Sequence, residues 1–296
     1  GNWQPYSGST SILERPQGLI LSADGTSGIN IDEVEDIALP LYQGVMIWQF
    51  NHAKSDYLRG ASKSTTWIQR ENNNNLLLPN PQFLASLSNV KSVLPSSVTF
   101  RLGFRAVQNA TNRRTMIATL LPTCPSGNSI ATITSGSLEN DLYLLSFLCS
   151  FSLDWVLRPK MSQGNVNWFY VEELATPNFQ LIDNSIKTKL IHLSFSLNLT
   201  TKASFSNWMI LSKNQPDLRS KSLYKYLAIS EHERLRMRCI IDGIVAELYG
   251  LNYEDMVRIL KECDYPTEQV NNKTFSAKLD PKGFWRVDKE KDPELR

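Results

Sequence analysis

The apolar positions change period along the chain. Over residues 96–107 (SSVTFRLGFRAV), Val98, Phe100, Leu102 and Phe104 alternate with Thr99, Arg101, Gly103 and Arg105. A period of two predicts a half-buried strand with both arginines turned from the apolar face. QNATN follows as a turn, and RRTMIATLLP (113–122) as the returning strand, so that Arg113 and Arg114 sit at the neighbouring turn. SIATITS offers a further strand. Upstream, GVMIWQFNHAK (44–54) reads as a strand leaving a glycine turn, and STTWIQR as a short strand entering the asparagine run at 72–75, a loop.

Helical spacing takes over beyond residue 136. Ser137 can cap LENDLYLLSFLCSFSLDWVLR, with acidic residues in the first turn and Arg158 at the end. Leu142, Leu145, Leu148 or Cys149, Ser152 and Trp155 recur at helical intervals. The segment is apolar nearly all round, which predicts one buried helix. Its exit loop (158–174) is basic and amide-rich. Trp168, Phe169 and Tyr170 read there as strand core. Residues 178–229 are ambiguous: KTKLIHLSFSLNLT suits strand or helix, and SKNQPDLRSKS a loop. Ser230 and Glu233 then form a capping box. Ile240, Ile241, Ile244, Val245 and Leu248 make the apolar stripe of that helix, and Gly250 ends it. Asn252 caps a second helix, and the tail from Tyr265 reads as charged and weakly structured.

These elements predict an α+β protein: a strand-rich lobe with a buried helix over residues 1–180, then a helical region over 181–296. A chain of 296 residues with 42% apolar content can bury a sizeable core. The net charge is only +2, so an anionic partner must be met by a local patch. Cys124, Cys149, Cys239 and Cys263 show no metal-ligand spacing, which disfavours a zinc site and suits reduced thiols in the cytoplasm. No signal peptide or membrane-length apolar run is evident. A start without methionine and an end on a charged stretch suggest a piece of a longer protein.

Catalytic motifs are sparse. NPQF (80–83) lacks the second proline of a methyltransferase Asn-Pro-Pro-aromatic loop, so Asn80 reads as a turn residue. DGTSG (24–28) precedes no helix pattern. His52, His192 and His232 sit in no recognisable nucleophile motif. The acidic group Asp32, Glu33, Glu35 and Asp36 reads as a solvated turn, and no carboxylate cluster resembles a nuclease site. Nothing catalytic is expected of this chain alone.

Five segments together carry a resemblance. LPLYQGVMIWQFNHAK, RLGFRAVQNATNRRTMIATLLP, YLLSFLCSFSLDWVLRPKMSQGNVNWFYVEELATP, RLRMRCIIDGIVAELYGLNYEDMVRIL and KGFWRVDKEKDPELR resemble, in order, segments of the type IIG restriction–modification N-6 adenine DNA methyltransferases and related phage-defence enzymes. Asn51 stands where the family has an acidic residue, and Lys54 near the usual arginine. The resemblance implies a TaqI-type C-terminal target-recognition domain with a helical extension. It implies double-stranded DNA and the parent's catalytic methyltransferase domain as partners. S-adenosylmethionine, with Mg as a further candidate, is implied for the full-length parent and no cofactor for this chain. On this reading Arg101, Arg105, Arg113, Arg114 and Lys54 face DNA. Arg105 is equally readable as a structural arginine paired with a carboxylate elsewhere. Arg158, Lys160, Gln163, Asn165 and Asn167 make the second candidate group, combining phosphate-type and base-edge donors. The alternative is a scaffold that docks methyltransferase and nuclease parts.

Overall fold

The computed structural model describes residues 3–11, 13–22, 24–70, 78–92, 94, 100–161, 164–198, 205–214, 227–228 and 230–287. Gln163, the 72–75 loop and residues 96–99 lie outside these. The architecture is α+β. Short antiparallel sheets occupy the first half: β1 (Gln4–Pro5), β2 (Leu19–Leu21) and β3 (Ser27–Asn30) form one, β4 (Ala38–Pro40) pairs with β7 (Leu84–Ser86), and β5 (Ser55–Arg59) with β6 (Thr66–Gln69).

The central sheet is β10–β8–β9, built from β8 (Phe100–Arg105), β9 (Ala118–Pro122) and β10 (Ile130–Ile133), all antiparallel. The alternation in β8 is realised: Phe100, Leu102 and Phe104 are buried, and Arg101 and Arg105 are half-buried. Gly103 stands between the arginines because a Cβ there would lie 2.3 Å from Leu121 Cδ1.

The stretch read as one helix is two: α2 (Leu138–Leu148) and α3 (Phe151–Lys160). Ser150 explains the break. Its Oγ accepts from Leu153 N at 3.2 Å, a local N-cap that competes with continuing the helix. Helix α2 lies between the sheet and the helices α5 (Asn184–Asn198), α6 (Phe205–Asn214) and α7 (Glu231–Leu248). Leu142, Leu145 and Phe147 are fully buried there, each worth about 1.5–3 kcal/mol of burial. One hydrophobic cluster runs from Phe100 through α2 and α5 to Val245, across residue 180. The ambiguous 187–200 region therefore resolves as helix for its described residues.

All three predicted N-caps form, Ser137 Oγ accepting from Asn140 N (3.1 Å) at the start of α2. Ser230 and Glu233 close a capping box on α7, as Asn252 and Asp255 do on α8 (Tyr253–Leu260), and Gly250 turns the chain at φ +70°. Other expectations fail: the returning strand begins only at Ala118, not at 113. Residues 44–54 are no strand: a 3₁₀ turn (Gly44–Met46) leads into a tight hairpin turn, Trp48 to Asn51, with Phe50 at φ +58°. Three hydrogen bonds to the core hold that conformation: Gln49 Nε2 donates to the carbonyls of Met116 (2.8 Å) and Cys149 (3.2 Å), and Phe50 N donates to Ala118 O (3.0 Å). The aromatic run at 168–170 starts a short helix, α4 (Trp168–Glu172), with Trp168 and Phe169 exposed, and Trp155 of α3 is exposed too. The tail is no loose appendage: Phe284 and Trp285 are buried. The four cysteines are thiols, with Cys124 and Cys149 in the core.

Two buried titrating groups oppose each other. His52 is enclosed beside the Tyr42 hydroxyl (3.0 Å), and burial lowers its pKa to about 4. Unfolded histidine protonates near 6.5, so this group withdraws stability as pH falls from about 6.5 to 4. Burial of the Asp242 carboxyl raises its pKa to about 6, against the pull of Arg114 and a hydrogen bond from Phe151 N (2.8 Å). The folded state then holds that proton longer than the unfolded one, and stability falls as pH rises from about 4 to 6. The two slopes offset one another. In urea unfolding at stepped pH, Asp242→Asn should make stability fall more steeply than in the wild type as pH drops from about 6 to 4, because the histidine loss, about 3 kcal/mol, is no longer offset by this carboxyl. Parallel profiles for the two proteins would refute the assignment.

Candidate functional site

The loop between β8 and β9 is knitted by amides. Gln108 is buried; its Nε2 donates to Arg114 O (2.7 Å) and its Oε1 accepts from Asn112 Nδ2 (2.6 Å). Asn109 Oδ1 takes Thr111 N (3.0 Å) and the Thr111 hydroxyl (3.1 Å). The loop's return is clamped by Asp154, whose carboxylate accepts from Thr115 N (3.0 Å) and Met116 N (2.7 Å).

Arg158 completes the clamp. It is 1% exposed, and its guanidinium pairs with Asp154 at 3.2 Å. It donates to the carbonyls of Asn112 (3.0 Å) and Arg113 (2.7 Å) on one side and of Lys282 (2.8 Å) and Gly283 (2.7 Å) on the other, and lies over the Phe284 ring. One buried side chain thus fixes the backbone before Arg114 and the backbone before Arg286. The expectation that Arg158 faces DNA is corrected: the fork geometry that suits phosphates here serves four carbonyls and a carboxylate. Arg114 is corrected likewise. It is 3% exposed, stacked 3.5 Å over the Phe151 ring, with the Asp242 charge nearby.

What remains at the surface forms a concavity of about 480 Å³, lined by Trp48, Arg105, Gln108, Thr111, Asn112, Arg113 and Arg286. Three of these are arginines and none is acidic. Arg105 Nε donates to Val107 O (3.1 Å), and no carboxylate pairs with it among the described residues, so the structural ion pair entertained for it is not found. Burial lowers its pKa, yet guanidinium stays charged at neutral pH. Arg113, which lines the concavity, and Lys54, which does not, each lie 5.4 Å from the Trp48 ring centroid. Arg286 stacks on Trp285 at 3.7 Å.

The second candidate group is split. Residues 164–166 add to the end of β8: Gln108 N donates to Gly164 O (3.2 Å), Val166 N to Ala106 O (2.8 Å), and Val107 pairs with Asn165. The 164–166 segment thereby lies beside residues 106–108. Asn165 and Asn167 are exposed. Lys160 is exposed and bridges to Glu173 at 2.8 Å. Arg101 lies outside the concavity, its guanidinium donating to the Cys124 carbonyl. Trp48 and Arg286 were not singled out from the sequence. The one signal for them was their place in two of the five resembling segments. Among the described residues no group of acidic, histidine or cysteine side chains could hold a metal, and no helix is long and apolar enough to cross a membrane.

Asn80 is not in a turn but is tied across to β5: its N donates to Asp56 Oδ1 (2.6 Å), its Nδ2 to Tyr57 O (2.8 Å), and its carbonyl accepts from Tyr57 N (2.9 Å). The chain is therefore an α+β protein with an arginine cleft that has no carboxylate among its described lining residues; no protein-family model, curated protein or solved structure matches it.

Proposed function

We propose that this chain is a DNA target-recognition region belonging to an N-6 adenine methyltransferase of the restriction–modification or phage-defence kind, holding duplex DNA for a catalytic domain outside this sequence. The observation that supports this reading is the cleft: Arg105, Arg113 and Arg286 line it, and none of its described lining residues is acidic. A polyanion complements such a lining. Exposed amides beside the cleft add base-edge donors and acceptors. S-adenosylmethionine belongs, on this reading, to the parent's catalytic domain.

A salt titration of binding to random duplex DNA tests the reading. With three arginines releasing counterions, log K against log [salt] is expected to fall with a slope of about −3. A flat line, or no binding at low salt, would sink it.

One observation favours the scaffold alternative as a second reading. Trp155 and Val156 of α3, Trp168 and Phe169 of α4 and Tyr253 of α8 are large apolar side chains open to solvent, and exposed apolar groups of this size suit a protein partner. The two readings are compatible if that face meets the catalytic domain.

A further inference from the structure

We propose that the short ribbon formed by Val107 and Asn165 reads one A·T base pair in the DNA major groove, Asn165 bonding the adenine edge and Val107 meeting the thymine methyl. This rests on the DNA-binding reading above and gives it a specificity. The major groove is wide enough for a two-stranded β-ribbon. Val107 and Asn165 are such a pair, antiparallel and held from both sides by Gln108 N to Gly164 O and Val166 N to Ala106 O. Those bonds flank the pair rather than join it, so it is a non-hydrogen-bonded pair, whose side chains approach most closely.

Both side chains stand outward. Val107 is 52% exposed, while Ala106 before it is half-buried and Gln108 after it is buried. Asn165 is exposed while Val166 beside it is buried. Among the described residues no hydrogen bond within the chain engages the Asn165 amide, unlike those of Gln108, Asn109 and Asn112. An apolar branched side chain and an uncommitted carboxamide side by side match one base pair best. Adenine presents an acceptor and a donor, which a carboxamide complements with two bonds; its partner thymine presents a methyl group. Guanine offers two acceptors, one of which would meet the amide oxygen. Cytosine has no methyl for Val107. The neighbouring guanidinium of Arg105, bonded to Val107 O, stands where a phosphate flanking that base pair would need a cation.

The test is selection of duplexes from a randomised library by the full chain, followed by titrations on the selected site. The wild type is expected to fix at least one A·T pair, and exchanging it for G·C should weaken binding about ten-fold. Asn165→Ala should lose the part of that preference owed to the carboxamide and keep only the thymine-methyl part, about four-fold. Replacing that thymine by deoxyuridine should cost the wild type about four-fold and leave Val107→Ser unaffected. Unfolding midpoints check that both variants fold. If the chain binds duplexes but fixes no A·T pair, or both variants keep the wild-type preference at every position, the inference falls and the DNA-binding reading stands. If the chain binds no duplex, both fall.

Discussion

Arg158→Met should cost about 3–5 kcal/mol of folding stability, read as a drop in the urea midpoint. The loss comes less from the ion pair itself than from what its removal leaves. Asp154 is 0% exposed and would keep a buried charge with only the backbone donors of Thr115 and Met116. The carbonyls of Asn112, Arg113, Lys282 and Gly283 would lose a donor at once. Arg158→Lys keeps the charge but has no planar fork to reach both backbone segments, so it should fall between the two. A midpoint unchanged by Arg158→Met would mean that the network contributes nothing net.

The second large effect concerns the cleft. Replacing Arg105, Arg113 and Arg286 together with alanine is expected to flatten the salt dependence of DNA binding by about 2.7 units of slope, near 0.9 for each phosphate that is no longer neutralised. All three are half-buried side chains at the cleft wall, so the fold should survive. Arg101→Ala is the internal control: its guanidinium serves the Cys124 carbonyl outside the cleft, and the slope should not move. A slope that moves with Arg101 and not with the triple variant would place the DNA-facing surface elsewhere. Substituting Arg114 would not answer the question, because its burial against Phe151 makes any loss of binding a loss of packing.

The parts of this structure legible in the sequence are those decided by near neighbours. The alternation of β8 follows from one residue in two facing helix α2. The capping boxes at Ser230 and Asn252 close within three residues. Illegible parts are decided over distance. A cation at the last turn of a helix ordinarily answers the helix dipole or solvent, and nothing near Arg158 in sequence announces that its acceptors lie at 112–113 and 282–283. Likewise GVMIWQF carries strand-forming residues, but Gln49 is drawn to carbonyls near residues 116 and 149, and the chain must turn there. Of the arginines that drew attention, alternation placed Arg101 and Arg105 on one face correctly. It could not say that only Arg105 opens into a cleft, nor that Arg286 would join it from the other end of the chain.

The double grip of Arg158 has a thermodynamic consequence. The cleft's two flanks are made rigid by one guanidinium when the chain folds, before any partner arrives. Conformational entropy that many binding loops surrender on association has here already been spent, so docking at this wall should proceed with little rearrangement and a fast approach governed by charge.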